Sequence, residues 1–186
     1  MSFIKPCCIA TALLSVLTSL TPAADVLQTA KRLANNKYSG WTYGSKQSRK
    51  QIDCVQFVAA VTEEALKQPL GSRTRKQILI SNLSKSEREV LPVLIQDEDK
   101  RIKGIQQALV SIRRGTAIKP SNARAGDLVQ YWMKKRDGSW FGHSGILETV
   151  EKMGGAYRAK IFGAHKSIKG IGSSKFKLHL NGPDRK

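Results

Sequence analysis

A chain of 186 residues is long enough for one domain with a sizeable core and too short for two of ordinary size. Its 40% hydrophobic and 25% charged residues make an ordinary globular composition, which argues against wholesale disorder. The 32 Lys and Arg against 14 Asp and Glu give a net charge of +18, an excess that suits an anionic polymer or surface without choosing among cell-wall glycopolymer, lipid headgroups and nucleic acid.

The first predicted element is a leader, residues 1–24. Lys5 supplies a basic start, CCIATALLSVLTSL an apolar core, and TPAA small residues suited to cleavage near Ala24. The apolar run is short for a membrane span, so the reading is a cleaved signal peptide; an uncleaved N-terminal anchor is the competing one. The product would be secreted, or periplasmic in the cell envelope, with no stable membrane span, and a monomer. Cleavage would remove Cys7 and Cys8 and leave Cys54 as the one cysteine, in a compartment where a lone thiol is exposed to oxidation.

Residues 25–186 read as a single domain. Val26, Leu27, Ala30, Leu33 and Ala34 recur at helical spacing. An aromatic, glycine-rich loop, YSGWTYGSKQSRK, follows. A second helix then starts at Cys54 with Asp53 as its N-cap, and Cys54, Phe57, Val58, Val61 and Ala65 share one face. Residues 67–120 read as an insert of two or three helices. Its cleanest stripe is Ile102, Ile105, Leu109 and Ile112, closed by Arg113-Arg114-Gly115. From Ala125 the pattern turns to β: a turn at Gly126-Asp127, then strands over LVQYWM, GHSGILETV, AYRAKIF and KFKLHL. Helices first and an antiparallel meander second make an α+β domain.

Cys54 in the first turn of a helix faces the positive end of the helix dipole, which favours thiolate over thiol, and free N–H groups there can bind an oxyanion. The bland alternative is a buried, inert cysteine. A thiolate nucleophile needs a base, and the chain offers His143, His165 and His179. A hairpin closed by the three-residue loop Met153-Gly154-Gly155 would pair Leu147 with Ile161, Glu148 with Lys160, Val150 with Arg158 and His143 with His165. A two-residue Gly-Gly turn would bring Lys166 opposite His143 instead. Period 2 puts Glu148 on the other face from His143, so His165 is the favoured third member.

IDCVQFV, ARAGDLVQYW and FGHSGILE, in that order, resemble the NlpC/P60 family of papain-like cysteine peptidases, with the CHAP amidases as relatives. The resemblance covers roughly residues 38–66 and 123–167. It implies a papain-like core with the nucleophile at a helix N-terminus packed on an antiparallel sheet, and no cofactor or metal. It implies Cys54 as nucleophile, His143 as base and His165 as the orienting residue of a hydrolase cutting peptidoglycan stem peptides, as endopeptidase or amidase. The upstream aromatic motif of the family stands here as Trp41-Thr42-Tyr43-Gly44. Tyr43 is the candidate for the oxyanion region, with the choice between the two aromatics open. Val55-Gln56 replaces the family's usual Ser-Gly. The partner expected is peptidoglycan or another anionic envelope polymer, with no specific nucleic acid. Two rivals stand beside this reading: a same-fold amidase or acyltransferase with a non-wall substrate, and a non-enzymatic cationic protein that binds wall or polyanion. Tyr131, Trp132, Trp140 and Phe141 read as core or hairpin packing ahead of a substrate groove.

Overall fold

The computed structural model describes residues 11–12, 15–19, 23–80, 83–97 and 99–180. Lys5, Cys7, Cys8 and the tail NGPDRK lie outside them. The strands are β1 (Thr11–Ala12), β2 (Ser15–Ser19), β3 (Thr42–Tyr43), β4 (Gln51–Ile52), β5 (Gly115–Ile118), β6 (Leu128–Lys134), β7 (Trp140–Met153), β8 (Ala156–His165) and β9 (Gly170–Leu180). The helices are α1 (Ala23–Asn35), α2 (Cys54–Leu66), α3 (Ser72–Ile78), α4 (Lys85–Glu89), α5 (Leu91–Gln96) and α6 (Gly104–Ser111). Together they form a mixed α+β fold, as the residue pattern predicts.

One sheet runs in the order β4-β3-β9-β8-β7-β6-β2-β5, with β1 alongside β9. The β6–β7–β8–β9 meander is antiparallel throughout. The chain ahead of α1 pairs at two places, β1 with β9 and β2 with β6, so the sheet curls back towards itself. Part of the run read from sequence as a leader core therefore contributes backbone to the sheet. Among the described residues no helix is long and apolar enough to cross a membrane.

The curl gives the meander two unlike faces, because successive side chains of a strand point opposite ways. On one, Leu128, Ile146 and Ala164 meet Val26, Ala30 and Leu33 of α1, Phe57, Val58 and Val61 of α2, and Ile105 and Leu109 of α6. On the other, Val129, Tyr131, Leu147, Tyr157, Ile161 and Leu178 pack among themselves. Phe57 is wholly buried, and burial of such a side chain stabilises by about 2–3 kcal/mol. Gly145 keeps these layers close: a Cβ there would lie 2.4 Å from Ile161 Cγ2.

Among the described residues the region 67–120 contains four short helices, not two or three, and ends in strand β5, which pairs with β2. The stripe is real but not one helix. Ile105 and Leu109 lie on α6, buried Ile102 on the 3-10 turn before it, and Ile112 at its C-cap. The left-handed residue after α6 is Arg113 at φ 55°, while Gly115 already belongs to β5. Gln130 of β6 ties the segment to the sheet, accepting from Ile105 N at 3.0 Å and donating to Ile102 O at 2.8 Å.

The β7–β8 hairpin corrects the expected register. Met153 pairs with Ala156 across the two-residue turn Gly154-Gly155, with Gly154 at φ 59°, as tight hairpin turns require. That register alone would pair Lys166 with His143. A bulge between Leu147 and Thr149 absorbs one residue, so Leu147 faces Ile161 as the longer loop would have it, while Arg158 pairs with Glu151, not Val150. The extra residue is Glu148. Its carboxylate, largely buried, meets Lys31 of α1 at 2.9 Å, Lys160 at 3.1 Å and the Ser173 hydroxyl of β9 at 2.5 Å. Burial would raise its pKa, but Ser173, Lys31 and Lys160 outweigh that and hold it down at about 2.

Candidate active site

Asp53, Gln56 and the loop before them set the start of α2. Asp53 Oδ1 accepts from Gln56 N at 2.8 Å, and Gln56 Oε1 accepts in return from Asp53 N at 3.2 Å. This reciprocal cap satisfies two of the donors that a helix start leaves free. Gln56 Nε2 also donates to Ser45 O at 3.3 Å, fastening the aromatic loop to the helix. The Asp-x-x-Gln spacing carries that signature in the sequence, and it gives Gln56 a task where the family pattern has glycine.

Cys54 is the first helical residue and is buried. The groups that face its sulfur are the main-chain N–H and hydroxyl of Ser144 on β7 and the hydroxyl of Tyr43 on β3. Tyr43 is therefore the upstream aromatic beside Cys54; Trp41 packs edge-on against Tyr38, ring centres 4.9 Å apart. Burial pushes the Cys54 thiol above its ordinary range, and the donors of Ser144 and Tyr43 offset this only in part. Burial thus favours the neutral thiol at rest, against the thiolate that a helix start by itself would favour. Burial, then Cys54 and Asp53, raises the Tyr43 phenol as well.

The two histidines meet. His143 Nε2 and His165 Nδ1 are 2.7 Å apart, and His165 Nε2 lies 3.0 Å from the Ile161 carbonyl. A carbonyl only accepts, so His165 Nε2 carries its proton and Nδ1 is left as an acceptor. His143 Nε2–H then donates to it, and His143 Nδ1 keeps its lone pair. Both rings are buried, His143 beside Tyr131 at 5.4 Å and Phe176 at 5.9 Å between ring centres. Burial, with His165 next to it, pulls the His143 pKa far down, so the imidazole is neutral at neutral pH. Burial also lowers His165, against the bonds to the Ile161 and Gly172 carbonyls.

The alternation of β7 decides which of its residues meets the thiol. Ser144 shares the α2 side with Ile146, while His143 shares the side of Tyr131, its partner across β6–β7. Among the described residues no hydrogen bond joins Cys54 to His143. The motifs do not single out Ser144, although the period-2 rule applied to GHSGIL marks it. Tyr131 does pack in the core, its ring wholly buried, yet among the described residues its hydroxyl has no hydrogen-bond partner, and burial, with Cys54 and Tyr43 nearby, raises its pKa. Trp132 is buried against Leu94, Ile95 and Ile102, whereas Phe141 is exposed. Among the described residues no cluster of His, Cys, Asp and Glu could hold a metal ion.

No family model, curated protein or solved structure matches the chain.

Proposed function

We propose that the chain is a cysteine hydrolase acting on amide bonds, with Cys54 as nucleophile, His143 as base and His165 as its orienting partner. The observation that carries this reading is the directed chain from the Ile161 carbonyl through His165 to His143, which leaves His143 Nδ1 free to take a proton. A buried histidine with a purely structural task needs no second histidine to select its tautomer.

In the proposed reaction the Cys54 sulfur attacks the amide carbonyl carbon as its proton passes to His143 Nδ1. The Cys54 N–H at the start of α2 donates to the oxyanion. His143 returns the proton to the leaving amine as the C–N bond breaks, leaving a thioester on Cys54. Water, deprotonated by His143, then attacks the thioester, releasing the acid and restoring the thiol. His165 stabilises the imidazolium at each stage. In the resting structure the His143 ring lies on the other side of β7 from the Cys54 sulfur, so the reaction requires a rearrangement that brings Nδ1 to the sulfur when substrate binds.

The substrate we propose is the peptide of peptidoglycan, on the order of the three motifs and a net charge of +18 facing an anionic wall. The test is release of fragments from purified peptidoglycan, read by mass spectrometry, beside Cys54→Ala. Fragments that depend on Cys54 are expected, and their masses separate endopeptidase from amidase. Binding that survives Cys54→Ala with no fragments from either protein would instead favour a cationic wall-binding protein.

A further inference from the structure

Ser144 is wholly buried, and among the described residues its hydroxyl has no hydrogen-bond partner. Leaving a hydroxyl so placed without a partner costs stability, and an alanine would fit the same spot at no such cost. The side chain lies on the α2 side of β7, and the sulfur of Cys54 is what it faces there, together with the Tyr43 hydroxyl and the Ser144 N–H. A neutral thiol is a weak acceptor and offers such a hydroxyl little. A thiolate is a strong one, and the two hydroxyls and the N–H are the groups beside it that can donate.

We propose that the Ser144 hydroxyl, with that of Tyr43, is a donor held in reserve for the ionised sulfur, so that the site stabilises the thiolate from β7 and β3 as well as from the helix start. This rests on Cys54 being a nucleophile and extends that reading: once His143 has been brought to the sulfur and has taken its proton, Ser144 and Tyr43 receive the charge. The step is a proton transfer from sulfur to His143 Nδ1 with hydrogen bonds from two hydroxyls to the sulfur. No other bond changes.

The experiment is the pH profile of Cys54 alkylation by iodoacetamide in the full chain and in Ser144→Ala and Tyr43→Phe, with melting temperatures alongside. Alkylation needs no substrate, so its outcome is independent of the peptidoglycan assay. Removing a donor to the thiolate moves the profile to higher pH. Ser144→Ala is expected to react about tenfold more slowly near pH 8, because a midpoint about one pH unit higher leaves about a tenth of the thiolate, with its melting temperature held or raised. Tyr43→Phe is expected to move the profile in the same direction. Unmoved profiles in both, with Ser144→Ala melting higher, would overturn the proposal and leave Ser144 a tolerated orphan. Should Ser144→Ala fail to fold, Ser144→Gly provides the same comparison. A displaced profile in a protein that releases no peptidoglycan fragments would retain Ser144 and remove the substrate.

Discussion

The segment that carries the candidate site and the segment inserted between α2 and β6 are built by different means. Around Cys54 the structure is fixed by long elements: a 13-residue helix with a reciprocal cap, and strands β7 to β9 locked by long antiparallel ladders, that of β7 and β8 interrupted once at Glu148. The insert is a string of helices five to eight residues long; Ile78 of α3 and Ile105 and Leu109 of α6 reach the main core, while Leu94, Ile95 and Ile102 form a small cluster with Trp132, and Val90, Val93 and Val110 are exposed. Its ion pairs sit at the surface, with Arg101 shared between Glu87 and Asp99. Helices this short do not hold themselves in water. The candidate site thus lies among the longest elements, and most of the sequence's irregularity falls elsewhere.

Substitutions probe the two regions in turn. Cys54→Ala is expected to abolish hydrolysis, a loss of about 10⁴-fold or more, with the melting temperature little changed; residual cleavage above background would break the assignment. His165→Ala should lower the rate by about 10²- to 10⁴-fold, because His143 loses the group that selects its tautomer. Equal rates in wild type and variant would mean that the histidine pair is structural.

Glu148 tests the region's stability rather than its chemistry. Glu148→Gln is expected to cost about 1–2 kcal/mol, discounted because Lys31 and Lys160 are partly exposed, or about 5 °C in melting temperature. Its folded pKa of about 2 lies below the usual value of 4.5, so this contribution is complete above about pH 5 and fades as the pH falls towards 2. A melting curve in which wild type and variant converge at low pH would show it. In the insert, Arg101→Ala should leave the melting temperature nearly unmoved, since the pairs it makes lie at the surface. A large drop there would erase the difference between the two regions.

The parts legible in the sequence are those governed by local physics. Val26, Ala30 and Leu33 announce α1, Asp53 announces the cap of α2, and the β-branched runs from Leu128 onward announce the meander, because helix period, capping and strand propensity act within a few residues. Short helices α3 to α5 are legible only as a region, since their boundaries are set by what they pack on. Gly154-Gly155 marks a turn, but its length is settled by Glu148 bulging out to meet Lys31 on α1, a contact between distant parts of the chain. The candidate site divides the same way. Residue pattern is enough to place Cys54 at a helix start, to put His143 and His165 on neighbouring strands and to show a strongly basic chain. Packing in three dimensions was needed to bring the two rings into contact, to turn Tyr43 rather than Trp41 to the sulfur, to set Ser144 against the thiol from β7, and to leave that thiol neutral. Spacing reports which face a residue takes. How much water it loses, and which groups replace that water, follows only once the sheet has curled and α2 has closed over it.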